Sequence, residues 1–344
     1  DYYLARLLSK TGKIDEAIVV LKNLLKFNKY PTEYVWELDL HSRMFLGILY
    51  SWQGDYLNAE KYIKRAIIAA VSINTLTPSF SISLLMEYCD YLTNSGRAGQ
   101  ALRIIKKVAP GVKKEFANSL DKVNWDLVSA YAYLENGKPI STQREIAKIN
   151  SYITPQTQAP VLQRLRMVLY EGVSGHLIGE RKTIDAMMVK ADEIKPSNSY
   201  LGYRKLISFV GYTLGNNHKI DTKNFEGLPT NQLEYLLSII SKIHQADTNF
   251  TSNNHRQAIT NLAEALNAVL KTFKSRSSNP HINNATFLWS ERFLVEEILS
   301  RIGEVNKNTT ANAPVVELVF EAIQYLNHTH DNVGAINRLL EGEM

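Results

Sequence analysis

The sequence runs Leu-Gly-Ile-Leu-Tyr-Ser-Trp-Gln-Gly-Asp-Tyr-Leu-Asn-Ala from Leu46 to Ala59. Its second glycine, Gly54, separates two segments in which apolar residues recur at helical spacing. Glycine ends a helix readily because it adopts the left-handed conformation without the steric cost of a Cβ atom. Asp55 suits the first turn of the following helix, and the small Ala59 lets two antiparallel helices approach closely. The stretch therefore predicts a hairpin of two helices with Gly54 at its turn.

The same hinge recurs along the first half of the chain. Glycines stand at positions 12, 54, 96, 137 and 179, at intervals of 42, 42, 41 and 42 residues. An alanine follows the glycine by five positions at Ala17, Ala59 and Ala101, whereas Thr142 and Ile184 take this place in the fourth and fifth units. One hairpin cannot bury both of its faces alone, so neighbouring hairpins must stack. The period therefore predicts an all-α fold, an α-solenoid of helix hairpins.

A family resemblance is carried by Leu46, Gly47, Tyr50, Gly54, Tyr56, Ala59 and Ala66. At these positions the tetratricopeptide repeat (TPR) has Leu-Gly, Tyr, Gly, an aromatic residue, Ala and Ala, so the chain resembles a TPR protein over residues 1–195. Its unit of 42 residues is longer than the usual 34 and is similar to the form found in several multidomain members. The resemblance implies a right-handed α-solenoid in which the first helix of each hairpin lines a concave groove for extended peptides or partner helices.

The regular pattern ends near Pro196. We expect regular TPR-like repeats over residues 1–195, and irregular helical repeats with C-terminal capping helices over residues 196–344. In the second part, helices are expected around residues 198–214, 231–246, 254–274, 284–303 and 314–326. The polar segment Asn216–Thr230 is expected to be a long loop.

The last segment, residues 315–340, is similar to the helical segment between TPR units and the protease domain in bacterial caspase-like CHAT-domain proteins. This resemblance implies a further, catalytic domain in cis beyond Met344. The catalytic His and Cys of that family would then lie outside this chain.

Composition excludes several classes of protein. Hydrophobic residues make up 45% and charged residues 21% of the 344 positions, which is typical of a globular chain and not of a disordered one. The single cysteine, Cys89, excludes a disulfide framework and a cysteine-based zinc cluster. Because no apolar run approaches the length of a membrane span and no secretory signal is found, we expect no transmembrane helix and a cytoplasmic location.

Catalytic, cofactor and metal sites are not expected. Cys89 falls at the position that Gly47 occupies in the preceding hairpin, which favours a buried structural thiol over a nucleophile. The sequence His328-Thr-His330-Asp331 has metal-ligand residue types, but its place between two predicted helices favours a capping role. Neither a glycine-rich phosphate loop nor a nucleophile elbow occurs. We therefore predict that the chain is not an enzyme.

The charge leaves nucleic-acid binding open as an alternative. Lys and Arg number 39 against 34 Asp and Glu, a net charge of +5. Basic residues cluster at Arg103–Lys107, Lys113 and Lys114, Arg164 and Arg166, Arg181 and Lys182, and Arg204 and Lys205. Helical-repeat RNA readers place base-reading residues at equivalent positions of each unit. Here the equivalent positions carry unlike residues, which favours solvated outer faces.

Transfer of the TPR groove positions, unit by unit, selects candidate partner-binding residues. They are Arg6, Lys10, Met44, Ile48, Ser51, Trp52, Met86, Asp90, Asn94, Asn124, Tyr131, Arg166 and Tyr170. Mixed aromatic, Met and polar side chains on an accessible face are typical of binding hot spots. The alternative for each of them, above all for Trp52, is packing against the next repeat. The Lys and Asn set that clamps a C-terminal carboxylate in chaperone-binding members is absent.

These observations predict a non-catalytic scaffold for protein–protein interaction that binds a peptide or a partner protein in the concave groove. One alternative is the regulatory arm of a larger enzyme, such as a caspase-like CHAT protease, whose catalytic domain lies outside this chain. The other is a helical repeat that binds nucleic acid.

Overall fold

The computed structural model describes most of the chain and contains only helices there. The described residues are 1–10, 13–27, 33–72, 77–116, 120–153, 159–180, 182–194, 207–208, 210–211, 231–277, 289–309 and 313–329. Every regular element in these ranges is an α-helix. The predicted all-α fold is therefore confirmed for this part of the chain.

Two compact units divide the chain, residues 1–233 (unit 1) and residues 234–344 (unit 2). The predicted domain boundary after residue 195, the segment Asn216–Thr230 and the cluster of His330 and Asp331 lie outside the described residues. Ten described helices end before residue 195: α1 (Tyr2–Lys10), α2 (Ile14–Phe27), α3 (Glu33–Trp52), α4 (Tyr56–Ser72), α5 (Pro78–Asn94), α6 (Ala98–Glu115), α7 (Leu120–Glu135), α8 (Pro139–Tyr152), α9 (Val161–Leu177) and α10 (Thr183–Glu193). The described helices after it are α11 (Asn231–Thr251), α12 (His255–Ser277), α13 (Trp289–Asn306) and α14 (Ala313–Thr329).

The helices of unit 1 form two layers. The odd-numbered helices contact one another in succession, α1 with α3, α3 with α5, α5 with α7 and α7 with α9. Each even-numbered helix from α2 to α8 contacts the odd-numbered helix before it and the one after it. One layer therefore consists of the first helices of successive hairpins, and the second helices lie across them.

Glycine closes four of the hairpin turns. Gly54, Gly96, Gly137 and Gly179 have φ values of 77°, 78°, 67° and 90°. In each turn the next N–H group donates to the carbonyl five residues back, as from Asp55 to Tyr50 at 2.9 Å. This pattern satisfies carbonyl groups that the end of a helix leaves without a partner. The predicted role of glycine is confirmed at these four hinges, and Gly12 lies outside the described residues.

Small residues let the two helices of a hairpin approach. A Cβ atom on Gly47 would stand 2.9 Å from the Ala59 carbonyl oxygen and 2.5 Å from Ile63 Cγ1. In the fourth hairpin Thr142 replaces the alanine, and its hydroxyl donates to the Ala130 carbonyl oxygen at 3.2 Å. The hydrogen bond explains how a polar residue is accepted at this buried crossing.

Unit 2 contains the same kind of turn with a different residue. Asn253, between α11 and α12, has a φ of 59°, and the Asn254 N–H group donates to the Asn249 carbonyl at 2.8 Å. Ala258 lies five positions after Asn253, and Ala246 lies seven positions before it. Both are buried, as are the residues at these two positions around the glycine hinges of unit 1. The spacing of glycines does not mark this hinge, because its left-handed residue is Asn, the other residue that tolerates this conformation.

Candidate functional site on the odd-numbered helices

The candidate partner-binding residues all lie on the layer of odd-numbered helices. Arg6 and Lys10 are on α1, and Met44, Ile48, Ser51 and Trp52 are on α3. Met86, Asp90 and Asn94 are on α5, Asn124 and Tyr131 are on α7, and Arg166 and Tyr170 are on α9. These five helices contact one another in sequence, so the predicted residues share one face of unit 1 or the core beneath it.

Their exposure divides the candidates into two groups. Arg6 is exposed, and the half-buried side chains are those of Ile48, Met86, Asp90, Asn94, Asn124, Tyr131 and Arg166. Met44, Ser51 and Tyr170 are buried, and the side chains of Lys10 and Trp52 lie outside the described set. Met44 is part of the core beside Leu46 and Leu49, so it stabilises the fold and offers no surface to a partner.

Five of the predicted residues meet in one cluster, which we call the inner-face cluster: Asp90, Asn94, Tyr131, Arg166 and Tyr170. The rings of Tyr131 and Tyr170 stack with centroids 5.5 Å apart and an interplanar angle of 9°. The Tyr131 hydroxyl donates to Asn94 Oδ1 at 3.0 Å. Arg166 donates from Nε to the Tyr170 hydroxyl at 3.1 Å and from Nη2 to Asp90 Oδ1 at 3.5 Å. The cluster thus joins α5, α7 and α9 through polar and aromatic contacts.

The charge of Asp90 is only partly compensated. Burial raises the pKa of the Asp90 carboxyl, Arg166 lowers it, and the neighbouring carboxylate of Glu87 raises it again, with a net increase. The contact with Arg166 is long, and the Asp90 side chain keeps 35% of its surface exposed. Among the described residues, Asp90 Oδ2 has no hydrogen-bond partner, so a donor from outside has an acceptor here.

A pair of amides extends the same face toward the start of α7 and α9. Gln163 Nε2 donates to Asn124 Oδ1 at 2.9 Å, while the Gln163 Oε1 atom is buried without a partner among the described residues. Side-chain amides can donate to and accept from the backbone of an extended peptide. Gln163 was missed by the sequence analysis, although it lies three positions before Arg166 and therefore on the same helix face.

A second group on this layer was also missed. His41 on α3 contacts the ring of Phe80 with centroids 4.8 Å apart, and its Nδ1 atom is 3.7 Å from Glu87 Oε1. His41 Nδ1 and Glu87 Oε2 are buried and lack hydrogen-bond partners among the described residues. The spacing of these residues could have identified them. His41 precedes Met44 by three positions and Glu87 precedes Asp90 by three, so each lies next to a candidate residue on its helix.

Cys89 is the structural thiol that the sequence predicted. It is buried, its Sγ atom is 3.9 Å from the Ala101 carbonyl oxygen, and burial raises its pKa to about 12. A thiol with so high a pKa is a poor nucleophile because the thiolate is the reactive form.

The described residues contain neither a candidate metal site nor a membrane-spanning helix. No group of three or more His, Cys, Asp and Glu side chains there is arranged to hold a metal ion. Within the same ranges, every helix is too short or too polar to cross a membrane. Models of known protein families give no match to the chain, and no curated protein matches it either.

Proposed function

We propose that unit 1 is a non-catalytic scaffold and that its inner-face cluster binds an extended segment of a partner protein. The observation that carries the proposal is the joining of three successive odd-numbered helices by polar and aromatic side chains, of which all but Tyr170 are half-buried. Such side chains on an accessible face are typical of binding hot spots, whereas a purely structural layer favours apolar contacts.

The proposal includes the finer architecture that the sequence predicts, a right-handed α-solenoid of TPR-like hairpins with a period of about 42 residues. Two features support it. The odd-numbered helices follow one another in a single layer, and the hinge glycines repeat with the same turn geometry. In such an array the layer of first helices is the inner one, so the inner-face cluster lines the groove.

Each member of the cluster has a distinct part in this binding mode. The half-buried ring of Tyr131, which stacks on the buried ring of Tyr170, is a rigid platform for an apolar side chain of the partner. Asp90 accepts from a donor of the partner, and the side-chain amide of Asn124, which Gln163 holds in place, donates to its backbone. Binding would thus combine one apolar anchor with several directed hydrogen bonds.

Selection from a displayed library of random peptides tests the proposal. The highest-affinity peptides are labelled, and fluorescence anisotropy measures their affinity for the wild-type chain and for Tyr131→Ala and Arg166→Ala. We expect both variants to weaken binding at least about tenfold, the loss typical of a hot-spot residue. The matched control is Ile68→Ala on α4, an exposed apolar residue on an even-numbered helix, which we expect to bind as the wild type does.

Circular dichroism of each variant checks that the helices persist. Equal peptide affinity in all four proteins would contradict the assignment of the face. A selection that yields no peptide, together with nucleic-acid binding that falls steeply with salt, would favour the basic surfaces instead.

A further inference from the structure

Three apolar side chains of the first helix are exposed. In α1 the side chains of Tyr3, Leu4 and Leu7 are 80%, 47% and 60% exposed. Leu4 and Leu7 are three positions apart and therefore lie on the same side of the helix. Single exposed apolar residues are common on protein surfaces, but three on one nine-residue helix require an explanation.

The same positions are covered in the later hairpins. Leu7 lies five residues before the hinge glycine, and so do Leu49, Tyr91, Ala132 and Ser174, all of which are buried. Leu4 lies eight residues before its glycine; at this position of the later hairpins Leu46 and Ser129 are buried, whereas Tyr88 and Glu171 are half-buried. At the Leu7 position the exposed face of α1 is thus equivalent to a surface that is buried in each later hairpin of unit 1.

The covering element in those hairpins is a helix of the preceding hairpin. Leu46 and Leu49 share their core with Ile14, Ile18 and Leu21 of α2, which contacts α3. In the next interface the Tyr91 hydroxyl on α5 donates to Glu60 Oε2 on α4 at 2.7 Å. In both interfaces the second helix of the preceding hairpin therefore contacts the helix that carries this face, through a shared apolar core in the first and a hydrogen bond in the second.

We propose that Tyr3, Leu4 and Leu7 form a docking face for one further helical hairpin of the α1–α2 kind, whose second helix covers α1 as α2 covers α3. The occupant carries an apolar stripe like that of Ile14, Ile18 and Leu21. This surface continues the stacking interface of unit 1. It is separate from the proposed peptide groove and does not depend on it.

The test supplies this occupant at the expected spacing. A second copy of residues 1–42 is fused ahead of Asp1 of the full chain, which keeps the 42-residue interval between hinges. The original Leu7 is changed to Cys in both the fused and the unfused chain, and the rate of maleimide labelling is measured. Cys89 adds little background because it is buried and its thiol has a raised pKa. We expect labelling in the fused chain to be at least about tenfold slower.

Two controls make the result specific. Ile68→Cys, exposed on α4, is expected to label at the same rate with and without the added hairpin. Leu4→Asp in the fused chain is expected to restore fast labelling at position 7, because a charged residue opposes docking at an apolar face. Equal rates at position 7 in the fused and unfused chains would overturn the proposal. Protection in the unfused chain that grows with protein concentration would overturn it in favour of a second copy of the chain.

Discussion

A buried carboxylate joins the second and third hairpins at the level of single residues. Glu60 on α4 pairs with Arg97 through Nη2 and Oε2 at 2.9 Å and accepts from the Tyr91 hydroxyl on the same oxygen. The Glu60 and Arg97 side chains are only 3% and 5% exposed. Burial alone would raise the pKa of Glu60, but the bonds from Arg97 and Tyr91 hold it below its ordinary value. The pair is therefore charged and well bonded in the folded state.

Removal of one partner should cost much more than removal of a surface pair. Arg97→Met leaves Glu60 buried without its main counter-charge, so we expect a loss of about 3–5 kcal/mol in the free energy of unfolding. Lys13→Met is the control, because the Lys13–Glu16 pair is exposed and is expected to contribute less than about 1 kcal/mol. Urea unfolding followed by circular dichroism measures both. Similar small losses in the two variants would contradict the role of the buried pair.

The same pair predicts a pH dependence of known sign. Because the pKa of Glu60 is lower in the folded state than in the unfolded state, its stabilisation is complete above the unfolded pKa and is lost as pH falls through the folded pKa. The difference in unfolding free energy between the wild type and Glu60→Gln should therefore be largest near neutral pH. It should shrink below about pH 4. A difference that stays constant over this range would show that folding does not shift the pKa of Glu60.

Gly47 allows a second test at residue scale. Alanine at this position would place its Cβ atom 2.9 Å from the backbone oxygen of Ala59, so the two helices must separate. We expect Gly47→Ala to lower the unfolding free energy by about 1–3 kcal/mol, although alanine is the better helix former. Gly99→Ala is the matched control, because the nearest atom to its added Cβ is an Asn136 side-chain oxygen at 3.4 Å. If both variants are neutral or stabilising, close approach at the crossing is not required.

At the scale of the element, the hairpin turn depends on a residue in the left-handed conformation. Gly54 and Asn253 both have this conformation, with φ values of 77° and 59°. No described atom lies within 4 Å of an added Cβ at Gly54, so a substitution there changes backbone strain alone. Substitutions at these two turns therefore report on the same property, the cost of the left-handed conformation, with a different native residue in each turn.

The two turns should respond in opposite directions. Gly54→Ala is expected to lower the unfolding free energy by about 1–2 kcal/mol, with Gly54→Asn between alanine and the wild type. Asn253→Gly should instead raise the stability of its hairpin by up to about 1 kcal/mol. Thermal unfolding of these variants ranks glycine, asparagine and alanine at position 54, and glycine and asparagine at position 253. A different order at Gly54 and Asn253 would mean that the side chain of Asn253 has a role of its own.

The sequence predicts the elements better than it predicts the contacts between them. The hinge glycines predict the hairpins of unit 1 because the left-handed conformation of the turn favours glycine. The role of Thr142 was not predictable, because it depends on the Ala130 carbonyl that tertiary packing brings near. The contact between Asp90 and Arg166 joins residues 76 positions apart and follows only from how α5, α7 and α9 approach. The repeat therefore predicts which residues lie on the layer of odd-numbered helices. It does not predict how exposed their side chains are or which hydrogen bonds they make.

At the scale of the molecule, unit 1 is organised so that the principal contacts of each hairpin are with its neighbours. α1 and α2 contact α3. In the described part of unit 1, α9 and α10 form the last hairpin, which contacts α7 and α8 through α9. In an array of this kind stability is approximately a sum of repeat terms and nearest-neighbour terms. A closed globular core, in contrast, distributes the effect of one cavity over all its elements.

Hydrogen exchange of two cavity variants distinguishes these cases. Leu21→Ala on α2 and Leu165→Ala on α9 each remove a fully buried side chain, with an expected local cost of about 2–5 kcal/mol. We expect Leu21→Ala to lower amide protection most in α1–α4 and least in α9 and α10, and Leu165→Ala to give the reverse gradient. Exchange followed by mass spectrometry resolves the helices separately. If both variants lower protection equally from α1 to α10, unit 1 unfolds as one cooperative core, and the proposed repeat array is wrong.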